Sequence, residues 1–432
     1  MNDPQKLTNP FYVLLSLPST AMGFALCVQI SALSWILSTK YNLSIEHVGL
    51  VWLAGPLAGL LAQPIVGLIS DKVWFWGGRR RPFILIGGVT ASLMLLALPF
   101  LGQLSELSGI QILWTAIIVA LTLDLAINVG FNPTRSIIAD LTPEGEARTK
   151  GFTWMQTISG MFGVLAYVIG AIFGNYALIY FGVGLVFFFN VIPAFFLKEP
   201  RYLGPVAAHD APTEPADGPG KTNLPRLLHI SMAHAFTWLG VQTMFVFMFA
   251  YAQHALFPGA ADLDEAQKTS LGQVISISFL IMNVVGFILP VAVLQPMAKK
   301  VGLVRTHTLC IFIMALGYAG ITLFGQTASA IYGLMAIVGI GWASVVSLPF
   351  AIMSDSVDKA RMGTFMGIFN LSVVIPQIIV SVAIGTVIGA AVDKSITFII
   401  CAVALAISAA LWAFLKEDRA EPGELAAGGG GH

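Results

Sequence analysis

Ile112-Leu113-Trp114-Thr115-Ala116-Ile117-Ile118-Val119-Ala120-Leu121-Thr122-Leu123-Asp124-Leu125-Ala126-Ile127-Asn128 is an apolar run broken near its end by one carboxylate. It belongs to a segment, 110–135, long enough to cross the hydrocarbon of a bilayer, which takes about 20 apolar residues in a helix. Eleven further segments of that kind follow outward from it: 11–39, 47–70, 83–103, 152–174, 176–197, 227–257, 271–296, 306–325, 330–353, 363–389 and 395–416. The first is too long for the apolar core of a signal peptide and reads as a span. Twelve spans predict an all-α polytopic membrane protein.

Composition agrees. The chain has 432 residues, 57% hydrophobic and 10% charged, with Lys+Arg 22 against Asp+Glu 22. Globular domains carry about 25% charged residues, so lipid is the expected solvent, and nucleic acid is excluded as a partner. Cys27, Cys310 and Cys401 stand in apolar runs with no partner at a metal-ligand spacing, so neither disulfide nor metal is expected. No phosphate loop, zinc set or nucleophile elbow occurs, so the chain does not read as an enzyme and needs no cofactor.

Charge gives the orientation, because short cytoplasmic loops retain Lys and Arg. With both termini cytoplasmic, the outer loops hold only Lys40, Lys268 and Lys394, against Glu46, Glu106, Asp262, Asp264, Glu265 and Asp393. Every other basic residue except Arg135 falls inside, including Arg79-Arg80-Arg81. The expected site is the plasma membrane, or the inner membrane of a bacterial cell.

Residues 198–226 collect six prolines among charges and cannot build a core, so they read as a cytoplasmic linker. The linker divides a six-helix half at 1–197 from another at 227–417, with a flexible tail at 418–432. The halves echo each other. Pro133, Asp140, Arg148 and Gly151 correspond to Pro349, Asp355, Arg361 and Gly363, and Asp71-Lys72 before Arg79 corresponds to Lys299-Lys300 before Arg305. A duplicated unit of this size is the architecture of many secondary transporters. Gly55/Gly59, Gly170/Gly174, Gly363/Gly367 and Gly385/Gly389 are spaced for close helix approach.

Of the 22 acids only Asp124 lies near the middle of a span. A carboxylate at that depth costs ~2.5 to 3.5 kcal/mol even on the lenient insertion scale, so it is a functional candidate by default. Protonation removes the charge and its cost, which makes Asp124 the candidate proton-coupling residue. A structural pairing with another helix is the plainer reading. Arg135 lies eleven residues on, within about 20° of the same face and about 16 Å along the axis. Asn128 and Asn132 continue that polar stripe. Snorkelling to the inner surface is the plainer reading for Arg135.

The remaining polar groups in the spans are mostly amides, among them Gln29, Gln156, Gln242, Asn283, Asn370 and Gln377. Buried amides donate and accept, which suits a neutral polyhydroxyl ligand. Trp154 and Trp238 are candidates to stack on a sugar face, and interfacial anchoring is the competing role of Trp.

Gly67-Leu68-Ile69-Ser70-Asp71-Lys72, followed by Gly78-Arg79-Arg80-Arg81-Pro82-Phe83, resembles the loop signature of the major facilitator superfamily. Together with Trp52-Leu53-Ala54-Gly55-Pro56, Val28 to Leu33, Asp124 to Asp140 and Asn370 to Gln377, it looks like the sucrose transporter branch, within the glycoside-pentoside-hexuronide group. The resemblance implies two six-helix halves and proton-driven uptake of sucrose, maltose or a related α-glucoside by alternating access. It implies Asp124 as the proton acceptor, Arg135 as required for transport, and Asp71 with Arg79, Arg80 and Arg81 as a gating loop. Plant members usually carry an aspartate pair in span seven, roughly where Tyr251-Ala252-Gln253 stands here, so their substrate preference does not transfer.

The expectation is a monomeric disaccharide/proton symporter lined by Gln29, Asn128, Asn132, Arg135, Gln156, Trp154, Trp238, Gln242, Asn370 and Gln377. A proton-coupled exporter of neutral or amphipathic molecules is the nearest alternative. An uncoupled channel or membrane scaffold is the alternative from another class.

Overall fold

The first half of the chain folds as α1 (Asn9–Thr39), α2 (Ile45–Leu60), α3 (Arg81–Ser108), α4 (Ile112–Leu141), α5 (Glu146–Phe173) and α6 (Asn175–Phe196). The second comprises α7 (Leu224–Leu256), α8 (Glu265–Val301), α9 (Leu303–Phe324), α10 (Ala328–Ser354), α11 (Phe365–Ala390) and α12 (Ile396–Ala413). These elements come from a computed structural model that describes residues 7–60, 66, 69, 73–143, 146–199, 222–260, 262–354, 356–357 and 362–417, without the side chains of 362–364. Eleven of the twelve helices are long and apolar enough to cross a membrane, α2 being shorter over the described residues. Asp71, Asp355, Arg361, most of the linker and the tail lie outside the described residues.

Local chemistry sets the helix starts. Asn223, Thr327 and Ser44 cap α7, α10 and α2 through their side-chain oxygens, and Asp264 with Gln267 forms a capping box on α8. Pro82 occupies the first turn of α3, where a missing N–H costs nothing. Helix α4 runs on past the expected end at 135, through Pro133 to Leu141, so Asp140 rides on the same rod as Asp124.

Two helices of the second half contain π turns. Gln295 N–H bonds to Pro290 O in α8, and Gly385 N–H to Val380 O in α11. Proline in α8, and Pro376 just upstream in α11, remove a donor from the regular ladder, which favours such a local rearrangement.

Large apolar side chains such as Trp114, Phe173, Phe195 and Leu323 remain exposed on the outside of the bundle, where lipid replaces water. Phe11, Leu15, Ile84, Ile137 and Leu197 pack at the end bearing Arg79 to Arg81, here the arginine end, and Leu227, Ile230, Val304, Ile352 and Trp412 form the counterpart in the second half. The largest core cluster joins both halves.

Each of these end clusters is tied by a glutamate. Glu199, just past α6, accepts from the backbone N–H groups of Arg79, Arg80 and Arg81 at 2.7–3.1 Å. Glu417, just past α12, accepts from those of Val304 and Arg305 at 3.2 Å. The flanking sequences match, Phe196-Leu197-Lys198-Glu199 and Phe414-Leu415-Lys416-Glu417, a repeat sharper than the echoes around Pro133 and Pro349.

Candidate functional site

Between the halves lies a cavity of roughly 510 Å³. From the first half, α1 supplies Gln29 and Cys27, α2 supplies Trp52 and Gly55, α4 supplies Asp124, Asn128 and Phe131, and α5 supplies Tyr167. From the second, α7 supplies Trp238 and Gln242, α8 Asn283, α10 Trp342, and α11 Asn370 and Gln377.

Asp124 is 4% exposed, and Gln29 Nε2 donates to its Oδ2 at 3.0 Å. No cation pairs with it among the described residues, so its partner is a neutral amide. Gly55 makes room for it: a Cβ there would stand 3.6 Å from the carboxylate oxygens. One turn along, Gly59 faces Asn128, whose Nδ2 donates to the Asp124 carbonyl at 2.8 Å. The Gly55/Gly59 pair thus faces the polar stripe of α4.

On the opposite wall, Gln377 Nε2 donates to Gln242 Oε1 at 3.2 Å. Trp342 Nε1 donates to Asn283 Oδ1 at 3.3 Å, and Trp238 Nε1 to His234 Nε2 at 3.1 Å. Tyr167 and Cys27 of the first half line the same cavity as Asn283 of the second. One wall therefore offers a carboxylate able to take a proton, and the other offers amides and indoles suited to hydroxyl groups and apolar ring faces.

The structure brings Asp124, Gln29, Asn128, Trp238, Gln242, Asn370 and Gln377 together and leaves four expected residues away from this lining. Arg135 is exposed, with its guanidinium 5.4 Å from the Phe131 ring centroid. Phe131 fills the rim that the eleven-residue spacing from Asp124 assigned to Arg135, and Asn132 also stays off the wall. On α5, Tyr167 takes the cavity position. Trp154, thirteen residues earlier, is about 140° away round the helix, and Gln156 lies about 16 Å down its axis. Tyr167 and Cys27 escaped sequence reasoning because each looks like an ordinary apolar-span residue.

The gating-loop arginines form an ion cluster at the arginine end. Arg79 Nη2 and Arg80 Nε reach Asp140 Oδ2 at 2.9 and 3.1 Å, while their backbone N–H groups are held by Glu199.

The opposite end is shut. Ser34 Oγ donates to Val246 O at 2.9 Å and accepts from Trp52 Nε1 at 2.8 Å. Trp35 Nε1 donates to Lys268 O, and Ser31 shares a 2.8 Å hydrogen bond with Ser276. Helices α2 and α11 touch through backbone, since a Cβ on Gly49 would stand 2.8 Å from Ser381 O.

The sequence profile described as Major Facilitator Superfamily matches residues 15–381. Sucrose transport protein SUC4 of Arabidopsis thaliana is 26% identical over 432 residues, covering 86% of this chain and 83% of that protein. Sucrose transport protein SUT2 of Oryza sativa subsp. indica is 28% identical over 435 residues, covering 86% of each. Among solved structures, nucleoside transporter NupG superposes with a TM-score of 0.71 at 13% identity, covering 94% of this chain and 98% of that one. The POT family transporter PepTSo gives 0.66 at 13% identity over 96% and 98%. Likeness at that identity speaks for the fold.

Proposed function

The chain is a member of the major facilitator superfamily, an integral membrane transporter and not an enzyme, and from that premise we propose that it is a proton-coupled sugar symporter. The substrate class is a disaccharide, sucrose, maltose or a related α-glucoside, which the resemblance to sucrose transport proteins supports. The observation that carries the coupling is Asp124. It lies in the wall of the cavity between the halves, buried and held among the described residues by Gln29, across from Gln242, Asn370 and Gln377.

Asp124 loads a proton while the cavity faces the proton-rich side, and the amides take the sugar hydroxyls. With the carboxyl neutral, the ~2.5 to 3.5 kcal/mol cost of a charge at bilayer depth is relieved while the halves rock about the site. One charge moving through 100 mV supplies about 2.3 kcal/mol, before any pH gradient is added. Arg79, Arg80, Arg81 and Asp71 belong to the cytoplasmic end in this reading, with both chain termini on the same side of the plasma membrane, and the working unit is a monomer.

Uptake of labelled sucrose and maltose into proteoliposomes with an imposed pH gradient tests it. Wild type accumulates one of them, and Asp124→Asn loses accumulation while keeping sugar exchange. Accumulation of neither sugar overturns the substrate, and gradient-driven efflux in its place assigns an exporter.

A further inference from the structure

A second cavity, of about 410 Å³, lies at the end opposite the arginines, lined from both halves by Ser38, Asn42, Phe249, Gln253 and Phe257 among others. It continues the faces that line the central cavity. On α7 the wall residues run Trp238, Gln242, Phe245 below and Phe249, Gln253, Phe257 above, each three or four positions from the last, which is one stripe of a helix. On α1, Ile30 faces the lower cavity and Ser38 the upper, with Ser34 between them. The bridge from Trp52 through Ser34 to Val246, with the Gly49 contact beside it, lies between the two spaces.

Of the charged groups in the upper cavity, Lys394 and His254 are engaged, and Asp262, exposed at its edge, has no hydrogen bond or ion pair among the described residues. Lys394 Nζ is bound by the carbonyls of Ile388, Gly389 and Ala391 at 2.6–2.9 Å, and His254 pairs with Asp393 at 3.1 Å. The side chains of Ser38, Asn42 and Gln253 have no hydrogen-bond partner among the described residues. Free amides and a hydroxyl beside phenyl rings, in a space within the usual 300–1,000 Å³ of ligand sites, match the chemistry of the lower cavity.

We propose that this upper cavity is a second binding station for the same polyhydroxyl class of ligand, able to hold a disaccharide while the Ser34 bridge is closed. The ligand class rests on the sugar reading above; the station itself rests on the cavity and its free amides. Filling it ahead of gate opening raises the local sugar concentration over the closed pathway, and opening the bridge lets the ligand pass down the α7 stripe.

The test uses a reporter thiol at Ala260→Cys, also in the upper cavity wall, in a Cys27→Ser background where Cys310 and Cys401 are buried. An impermeant maleimide is applied from each side of oriented vesicles with sucrose, maltose or an isosmotic salt, and sugar uptake is measured in parallel on the unsubstituted chain, because Cys27 lines the central cavity. The expected result is a several-fold slowing of labelling by the transported sugar, abolished by Asn42→Ala with Gln253→Ala and retained with Asn370→Ala in the lower cavity. Transport without slowing, or slowing lost with Asn370→Ala, overturns the station. Slowing without transport keeps the station and removes the symport reading, and absence of both removes both.

Discussion

Glu199 and Glu417 do the same work in the two halves: each carboxylate reaches back from the end of a sixth helix to the backbone N–H groups that open the third. Glu199 holds three such groups, at distances down to 2.7 Å, and Glu417 holds two at 3.2 Å. Replacing Glu199 with Ala strands donors at the start of α3, at a cost of about 1–3 kcal/mol. Glu417→Ala costs less. Thermal midpoints of the purified variants in detergent check this, and equal shifts would contradict the ranking.

Gly55 faces the carboxylate of Asp124 at ordinary contact distance, so Gly55→Ala fits. Gly55→Leu puts three further carbons into the cavity and is expected to lower uptake roughly tenfold or more through overpacking of 1–3 kcal/mol. Comparing uptake per molecule of protein in the membrane separates this from poor expression. Unimpaired uptake by the Leu variant would take α2 out of the binding wall.

Gly49→Ala is a different experiment. Its Cβ would stand 2.8 Å from Ser381 O, backbone against backbone, so α2 and α11 must part. The expected outcome is a population shifted toward opening at the Ser34 end, read as faster labelling, by a maleimide added from that end, of a cysteine placed at Ile30 of the central cavity in a Cys27→Ser background. Slower or unchanged labelling would count against the closure described.

Cys27 is the one cysteine in the cavity wall, whereas Cys310 and Cys401 are buried at 2% and 0% exposure. A permeant maleimide is expected to modify Cys27 first and inhibit transport, with bound sugar protecting it. Mass spectrometry of the labelled peptide checks the site, and modification elsewhere would show that the cavity is not the accessible thiol environment.

Gln242 and Gln377 bond to each other at 3.2 Å in one wall. Alanine at either frees the partner amide, so the two substitutions should not add: a coupling of about 0.5 kcal/mol or more in apparent sugar affinity is expected from a double-mutant cycle. Strict additivity would place the ligand against neither.

Span number and the singular place of Asp124, buried in the cavity wall, were legible in the sequence because both follow from solvation: lipid demands apolar length and punishes a lone carboxylate. Gln29, Gln242, Asn370 and Gln377 were found on the same logic. What sequence could not supply was which way each helix faces. Arg135 sits on the stripe of Asp124 by periodicity alone, and Trp154 looks as available as Trp238, until packing of α5 turns Tyr167 to the cavity instead. The glutamate ties were legible too, in the repeated Phe-Leu-Lys-Glu, but a motif of four common residues announces itself only after its two carboxylates are seen on matching helix ends.

The π turn of α11 has a consequence for register. Over the eight residues from Gln377 to Gly385 a regular helix would rotate about 80° past two full turns. Five residues wound more loosely, at about 82° each, take back about 90°, so the amide that lines the cavity and the glycine beside Gly49 and Phe247 share nearly one meridian. One edge of α11 thereby presents ligand chemistry below and bare backbone above. Deleting a single residue between them would swing one of the two about 100° off that edge without altering any side chain that lines the cavity. The spacing of this helix is itself a functional element, one that substitution scanning would pass over.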